Sequence, residues 1–234
     1  MIEISKRGAI SKVFNKLIYD HTSSTSLATK LRLKRFTLLK SLFASLPNSA
    51  TIRILDVGGT QNFWDKSVVL SELGDVEITL MNVREFQVTA PNIRSIAGDA
   101  REMKQFAAQE FDVVFSNSVI EHVGSYEDQR RMAKEIKRVG KRYFVQTPNL
   151  YFPIEPHFVF PFFQFLPQSV KVWLISHFAL GWYGKVTDIE KANELASEIR
   201  LLSKKEFLNL FANAKIVEEK FLGLTKSFIA YEGW

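Results

Sequence analysis

The sequence predicts an α/β protein built on one mostly parallel sheet that closes with an antiparallel hairpin. Three observations carry this reading. From residue 51 to residue 150, short β-branched or apolar runs alternate with amphipathic stretches, the rhythm of parallel strands joined by helices on both faces. Near the C-terminus two apolar runs follow one another with only a tight turn between them, which adds strands in antiparallel pairing. The runs of the alternating region end in polar residues or glycine, at the sheet edge where open α/β proteins bind ligands.

In chain order, residues 1–50 read as an N-terminal helical cap. Val13, Leu17 and Ile18 stand at helical spacing, and Leu31 to Leu46 carries a second periodic pattern that stops at Pro47-Asn48-Ser49. The main domain spans residues 51–234. Its strands are predicted at "TIRILDV", "VEITLMNV", "IRSIAGD", "FDVVFSN" and "RYFVQTP". "AREMKQFAAQ" reads as a helix with Asp99 as a possible N-cap. "SYEDQRRMAKEIKRVG" reads as a second, capped by Ser125, acidic in its first turn at Glu127 and Asp128, apolar along Met132, Ile136 and Val139, and ended by Gly140. After a helix over "SKKEFLNLFANA", with Ser203 and Glu206 at capping-box spacing, "KIVEEKFLGLTKSFIAYEG" forms two strands around a turn at Leu222–Thr225. Residues 151–200 follow neither rhythm. They hold Pro153, Pro156, Pro161 and Pro167 among many aromatics and read as an insert after the fifth strand.

Composition narrows the function classes. With 234 residues, 46% hydrophobic and 24% charged, the chain is long enough for a sizeable core and is not a disordered polymer. It has no cysteine, which excludes disulfides and thiolate metal sites. None of its four His forms an HxH or HExxH pair, so no metal is expected. The net charge of +6 is concentrated in residues 1–40, where nine Lys/Arg face Glu3 and Asp20. That segment is a solvated helical face or a basic arm for an anionic partner. "MIEISKRGAI" has no continuous apolar run, so no signal peptide is expected and the protein reads as cytoplasmic. The apolar segment 158–184 is broken by Pro161, Pro167, Gln168 and Lys171, too short in its runs for a span of about 20 residues.

The polar strand ends fall in register: Asp56, Gly58 and Gly59 after the first strand, Asn82 after the second, Asp99 after the third, Ser116 and Asn117 after the fourth, Thr147 and Asn149 after the fifth. Here the chain resembles the class I S-adenosylmethionine-dependent methyltransferases, and in particular the bacterial small-molecule (type 11-like) group. "ILDVGG" resembles the family's first motif, "GDA" (Gly98–Ala100) its acidic loop beside the adenine, and "FDVVFSNSVIEHV" its fourth-strand motif. The resemblance implies a Rossmann-like, seven-stranded, mostly parallel sheet with an antiparallel C-terminal hairpin. It also implies S-adenosylmethionine as cofactor, held by Asp56, Gly58, Gly59, Thr60, Asn62, Asn82, Val83, Asp99, Ala100, Asn117 and Ser118.

Each position has a chemical reason in that reading. A Cβ at Gly58 would occupy cofactor space, Asp56 would steady the turn and attract the ammonium through ordered water, and the Asn82 end would take the ribose diol. Asp99 would accept from the adenine amino group, with Phe115 or Met81 flanking the ring. Thr60 and Asn62 stand where the family has further glycines, and Asn62 is expected to take positive φ in their place. Asn82 replaces an acidic residue, so weaker ribose anchoring is expected.

Methyl transfer is an in-line displacement that depends on alignment and exclusion of water. A hydroxyl acceptor also needs a base, for which the candidates are His157, His122, Glu121 and Glu155, with His157 in "IEPHF" first. The aromatic insert and the N-terminal helices suggest a lid over a small, partly apolar acceptor: a natural product, glycan or lipid-linked metabolite methylated at oxygen or nitrogen. No DNA partner is expected, since "FSNS" stands where an NPPY-type sequence would be, and RNA ranks low. Peripheral membrane contact stays open. Two alternatives remain: a catalytically silent cofactor-binding subunit, and a membrane-surface protein with an aromatic interfacial anchor.

Overall fold

The computed structural model describes residues 27–46, 51–65 and 75–234. The predicted helical positions Val13, Leu17 and Ile18, the stop at 47–49 and four of the nine basic residues of the arm (Lys6, Arg7, Lys12 and Lys16) lie outside them. The chain divides into two units, Met1–Leu46 and Pro47–Trp234. In the first, α1 spans Leu27–Phe43, with Lys40 in its last turn, where a cation favours the helix dipole.

The second unit holds the predicted sheet. Its strands are β1 (Ile52–Val57), β2 (Val76–Asn82), β3 (Ile93–Ala97), β4 (Val113–Asn117), β5 (Tyr143–Pro148), β8 (Lys215–Phe221) and β9 (Leu224–Glu232), in the order β3-β2-β1-β4-β5-β9-β8. Pairings from β3 to β5 are parallel, while β9 runs antiparallel to both β5 and β8. β1, β4 and β5 are buried almost without alternation. Strands covered on both faces need such continuous apolar runs. The closing hairpin turns on Leu222 and Gly223, both at positive φ, the backbone of a two-residue turn that matches strand twist.

One face of the sheet is covered by α3 (Tyr126–Val139), which buries Met132, Ala133, Ile136 and Val139 against Leu55, Val57 and Val114. Ser125 begins α3 as predicted: its hydroxyl accepts from the Asp128 backbone N–H, and the Asp128 carboxylate accepts from the Ser125 N–H. Gly140 ends it in an extended rather than left-handed conformation. A Cβ on Gly140 would lie 2.6 Å from Val114 Cγ2, so glycine serves packing there. α6 (Lys204–Leu210) adds Phe207 and Leu210 to the same core. Elsewhere in the sheet layer Phe115 meets the rings of Phe63, Trp64 and Phe144 at 5.1–5.6 Å, the first two from the short α2 (Gln61–Asp65).

The predicted helix over 100–109 does not form. Met103 and Phe106 are buried, and their backbone is taken by α3 side chains. Glu135 accepts from the Met103 N–H at 2.7 Å, and Arg138 donates to the carbonyls of Met103 and Phe106, both at 2.8 Å. These long-range bonds replace the ladder that local propensity favours.

The insert folds as β6 (Ile154–Glu155) and β7 (Phe160–Pro161), a 3₁₀ turn at Phe163–Phe165, α4 (Gln168–His177) and α5 (Ile189–Glu198). It has its own core of Phe158, Phe163, Ile175, Ala192 and Ala196. His177 closes α4, its ring stacked on Trp173. No helix among the described residues is long and apolar enough to cross a membrane.

Ser125→Ala removes one side of the α3 capping box and is expected to cost about 1 kcal/mol. Urea unfolding should show a lower midpoint at unchanged slope.

Candidate active site

The loop from β1 into α2 is shaped from beneath. Asp56 is 1% exposed, and its Oδ2 accepts from the Trp64 indole N–H at 2.7 Å. Its Oδ1 has no hydrogen-bond partner among the described residues. Burial pushes its pKa up to about 7, and the Trp64 hydrogen bond only partly opposes this. A Cβ on Gly59 would fall 1.7 Å from Asp56 Oδ2, so the carboxylate and a side chain at 59 cannot coexist. Gly58 has φ +79°, and a Cβ there would stand 2.4 Å from Val119 Cγ2. Glycine at 58 is thus required by the protein's own packing, beyond any cofactor. Asp56 lies under the loop, where it steadies the turn.

Thr60 and Asn62 do not adopt positive φ. Asn62 sits inside α2, and the Thr60 carbonyl accepts from the Phe63 N–H. The expectation that Asn62 substitutes for a left-handed glycine is therefore corrected, because α2 begins early enough to give both residues ordinary backbone. Gln61 ties this turn to the segment after β2, through Thr89 Oγ1 and the Thr89 N–H, both at 2.8 Å.

Beyond the carboxyl ends of β1, β2 and β3 opens a cavity of about 690 Å³. Its walls are Gly58, Met81, Asn82, Val83, Gly98, Asp99, Ala100 and Arg101, closed by Val119, His122 and Val123 after β4. This is the point where strand order reverses between β1 and β4, the ligand crevice of open α/β sheets. Asn82 Nδ2 donates to the Gly59 carbonyl at 2.9 Å. A carboxylate could not make that bond, which gives the amide at 82 a physical reason. Asp99 is held by Arg101 through its backbone N–H and its guanidinium at 2.7–3.0 Å. The Arg101 guanidinium beside it keeps the carboxyl below its usual range.

Five of the predicted cofactor residues, Gly58, Asn82, Val83, Asp99 and Ala100, line this cavity. Asp56, Gly59, Thr60, Asn62, Asn117 and Ser118 are not in its wall. Ser118, at φ +55°, binds Gln146 through both backbone and hydroxyl and so joins β4 to β5. Phe115 is buried among aromatic rings, away from the cavity. Arg101 was not anticipated, although its place two residues after Asp99 suits a turn-closing partner.

All four acceptor-side candidates come together. Ile120–His122 form a 3₁₀ turn, and the rings of His122 and His157 stand perpendicular with centroids 4.8 Å apart. Glu155 is buried; its Oε1 lies 2.7 Å from His157 Nδ1, and its Oε2 accepts from the N–H groups of His157 and Phe158. Burial alone would lower the His157 pKa, but the Glu155 hydrogen bond and the surrounding carboxylates outweigh it and raise the value. Glu121 is fully buried. Its Oε2 accepts from the Thr147 hydroxyl at 2.9 Å, while Oε1 has no hydrogen-bond partner among the described residues. Burial pushes its pKa up against the pull of His122 and His157. Glu198, on α5, lies 3.4 Å from His122 Nδ1, a neighbour that no local pattern reveals. The expectation of no metal rested on spacing along the chain, yet Glu121, His122 and His157 offer ligand atoms within 4.8 Å of one another.

The raised Asp56 pKa has a consequence for stability. Between the ordinary value of 3.8 and about 7, the folded state binds a proton that the unfolded state does not, so stability falls as pH rises through that window, by roughly 1.4 kcal/mol per pH unit. Asp56→Asn keeps an oxygen for Trp64 and cannot ionise. Its Tm advantage over the wild type should be small at pH 4 and grow up to pH 7–8; equal Tm profiles would contradict this.

Residues 58–143 match the family model described as "Methyltransferase domain", a span that runs from the Gly58 turn through the cavity wall to the start of β5. An uncharacterized protein of Mycobacterium tuberculosis, Rv1509, is 40% identical over 53 residues, which is 23% of this chain and 18% of that protein's length. Among solved structures, the PH0226 protein of Pyrococcus horikoshii has a TM-score of 0.51 at 17% identity, covering 95% of this chain and 97% of the other. The CurJ carbon methyltransferase has a TM-score of 0.50 at 14% identity, covering 93% of this chain and 60% of the other. These structures share the fold, a Rossmann-like sheet with an antiparallel end. Residues 58–143 are therefore similar to a methyltransferase domain, and the sheet around them has the Rossmann-like order with an antiparallel end.

Proposed function

We propose that this protein transfers the methyl group of S-adenosylmethionine to a small, partly apolar acceptor, at oxygen or nitrogen. The observation that supports it best is the cavity at the β1–β4 crossover, which has His122 in its wall and His157 directly behind. In this reading the cofactor's adenine lies along Met81 and the Gly98–Arg101 turn. Asp99, ionised through Arg101, takes the adenine amino group. Asn82, with Nδ2 committed to Gly59, offers Oδ1 to the ribose, and the Gly58 backbone meets the methionine part. Asp56, Gly59, Thr60, Asn62, Asn117 and Ser118 shape the surrounding turns without touching the cofactor.

The sulfonium end then faces the turn at Ile120–His122. During transfer the sulfur–methyl bond breaks with its electrons left on sulfur, and an acceptor lone pair forms the new bond. The protein's task is to align the two and keep water out. Glu121, His122, Glu155 and His157 hold the acceptor's reactive atom and provide for its deprotonation. The insert that carries Glu155 and His157 also exposes Tyr151, Phe162, Phe165, Trp173 and Trp182, an aromatic surface suited to an acceptor with apolar parts.

Calorimetric titration with S-adenosylmethionine and S-adenosylhomocysteine tests the reading. Wild-type protein should bind both saturably and ignore NAD. Asp99→Ala, folded by circular dichroism, should bind about ten- to a hundredfold more weakly, the loss expected for a hydrogen bond to a charged group. Folded wild-type protein that binds neither ligand would overturn the proposal.

A further inference from the structure

We propose that Glu121, His122 and His157 form a binding site for one divalent transition-metal cation at the edge of the methyl-transfer cavity. The three donors come from two distant segments, the turn after β4 and the insert hairpin, and each supplies a ligand atom within 4.8 Å of the other two. Donors about 2.1 Å from a shared tetrahedral ion lie about 3.4 Å apart, so pairs now up to 4.8 Å apart close by about 1.4 Å, shared between two side chains.

The surroundings are built for a cation. Glu121 is fully buried and uses only one of its oxygens, for the Thr147 hydroxyl, while the other has no hydrogen-bond partner among the described residues. Buried polar atoms are rarely left so without a function or an absent ligand. Each imidazole has a carboxylate at Nδ1: Glu155 at 2.7 Å from His157 and Glu198 at 3.4 Å from His122. A carboxylate on Nδ1–H fixes the tautomer and leaves Nε2 to bind an ion, the usual support of a metal-bound histidine. Glu155 is in turn anchored by two backbone N–H groups. Two hydrogen bonds to a backbone hairpin are more than a simple His–Glu pair requires.

The donor set selects the ion. Two imidazoles and one carboxylate suit Zn²⁺ or Fe²⁺ with positions left open, whereas Mg²⁺ and Ca²⁺ prefer oxygen ligands. His122 belongs to the cavity wall, so the open positions face the reaction space. Resting on the methyl-transfer reading, the consequence is an oxygen acceptor. A hydroxyl bound to the cation loses its proton to water more readily, and the resulting oxygen anion attacks the methyl group while sulfur keeps the bonding electrons.

The test uses full-length protein stripped with EDTA and dialysed, titrated with Zn²⁺ by calorimetry and with Co²⁺ by visible absorption. Uptake should be one ion per chain. His157→Ala and Glu121→Gln should abolish it, Glu155→Gln should weaken it roughly 10–100-fold, and His177→Ala should leave it unchanged. Thermal unfolding and S-adenosylhomocysteine binding are measured on the same samples. A wild-type protein that binds S-adenosylhomocysteine but takes up no stoichiometric metal overturns the cation site and leaves the cofactor reading standing. Uptake that persists in both His157→Ala and Glu121→Gln also overturns it. Stoichiometric uptake lost in those variants, with no S-adenosylhomocysteine binding by the wild type, supports the site and removes the methyl-transfer reading alone.

Discussion

A buried carboxylate organises the loop at the carboxyl end of β1. Asp56 closes β1 beneath the glycine turn, bound to Trp64 and almost without solvent. Its position excludes a side chain at Gly59. The Gly59 carbonyl in turn receives the Asn82 amide, which joins the turn to the end of β2. Trp64 packs on Phe115 in the centre of the sheet, so one charge links loop, helix and core. Burying a carboxylate this way destabilises the charged form. A loop tied down at that cost has its backbone fixed by the packing beneath it.

The cluster at the Ile120–His122 turn is organised by the insert. Glu155 and His157 stand on a two-residue strand and the turn after it, and His157 meets His122 of the Ile120–His122 turn. The backbone N–H of Arg200, just after α5, donates to the Glu121 carbonyl, and Arg200 also binds Gln129 and Glu206. The beginning and end of the insert are thereby fastened around the Ile120–His122 turn. The apolar core of Phe158, Phe163 and Ile175 stabilises this arrangement from within the insert. A segment that looks irregular in sequence therefore supplies two of the four side chains gathered at this turn.

The sequence by itself determined the order and type of the strands, because continuous apolar runs and their polar ends are local properties of the chain. It determined the caps at Ser125 and Ser203, where a hydroxyl and an acidic residue three positions on settle a helix start without outside help. It also marked Gly58, Asn82, Asp99 and Ala100, which follow strands at the edge where the cavity opens. Other features were decided only in the tertiary structure. The stretch 100–109 has helical propensity, but Glu135 and Arg138 claim its backbone from across the domain. Asp56 turns under the loop, since Trp64 supplies the donor it needs there. Thr60 and Asn62 looked like lost glycines until α2 gave them ordinary backbone. Glu121, His122, Glu155, His157 and Glu198 carry no common spacing; the crossover after β4 and the fold of the insert bring them together. Propensity and strand-end chemistry act over a few residues and can be read along a chain, whereas a cluster of charges from distant segments exists only once packing has paid for their desolvation.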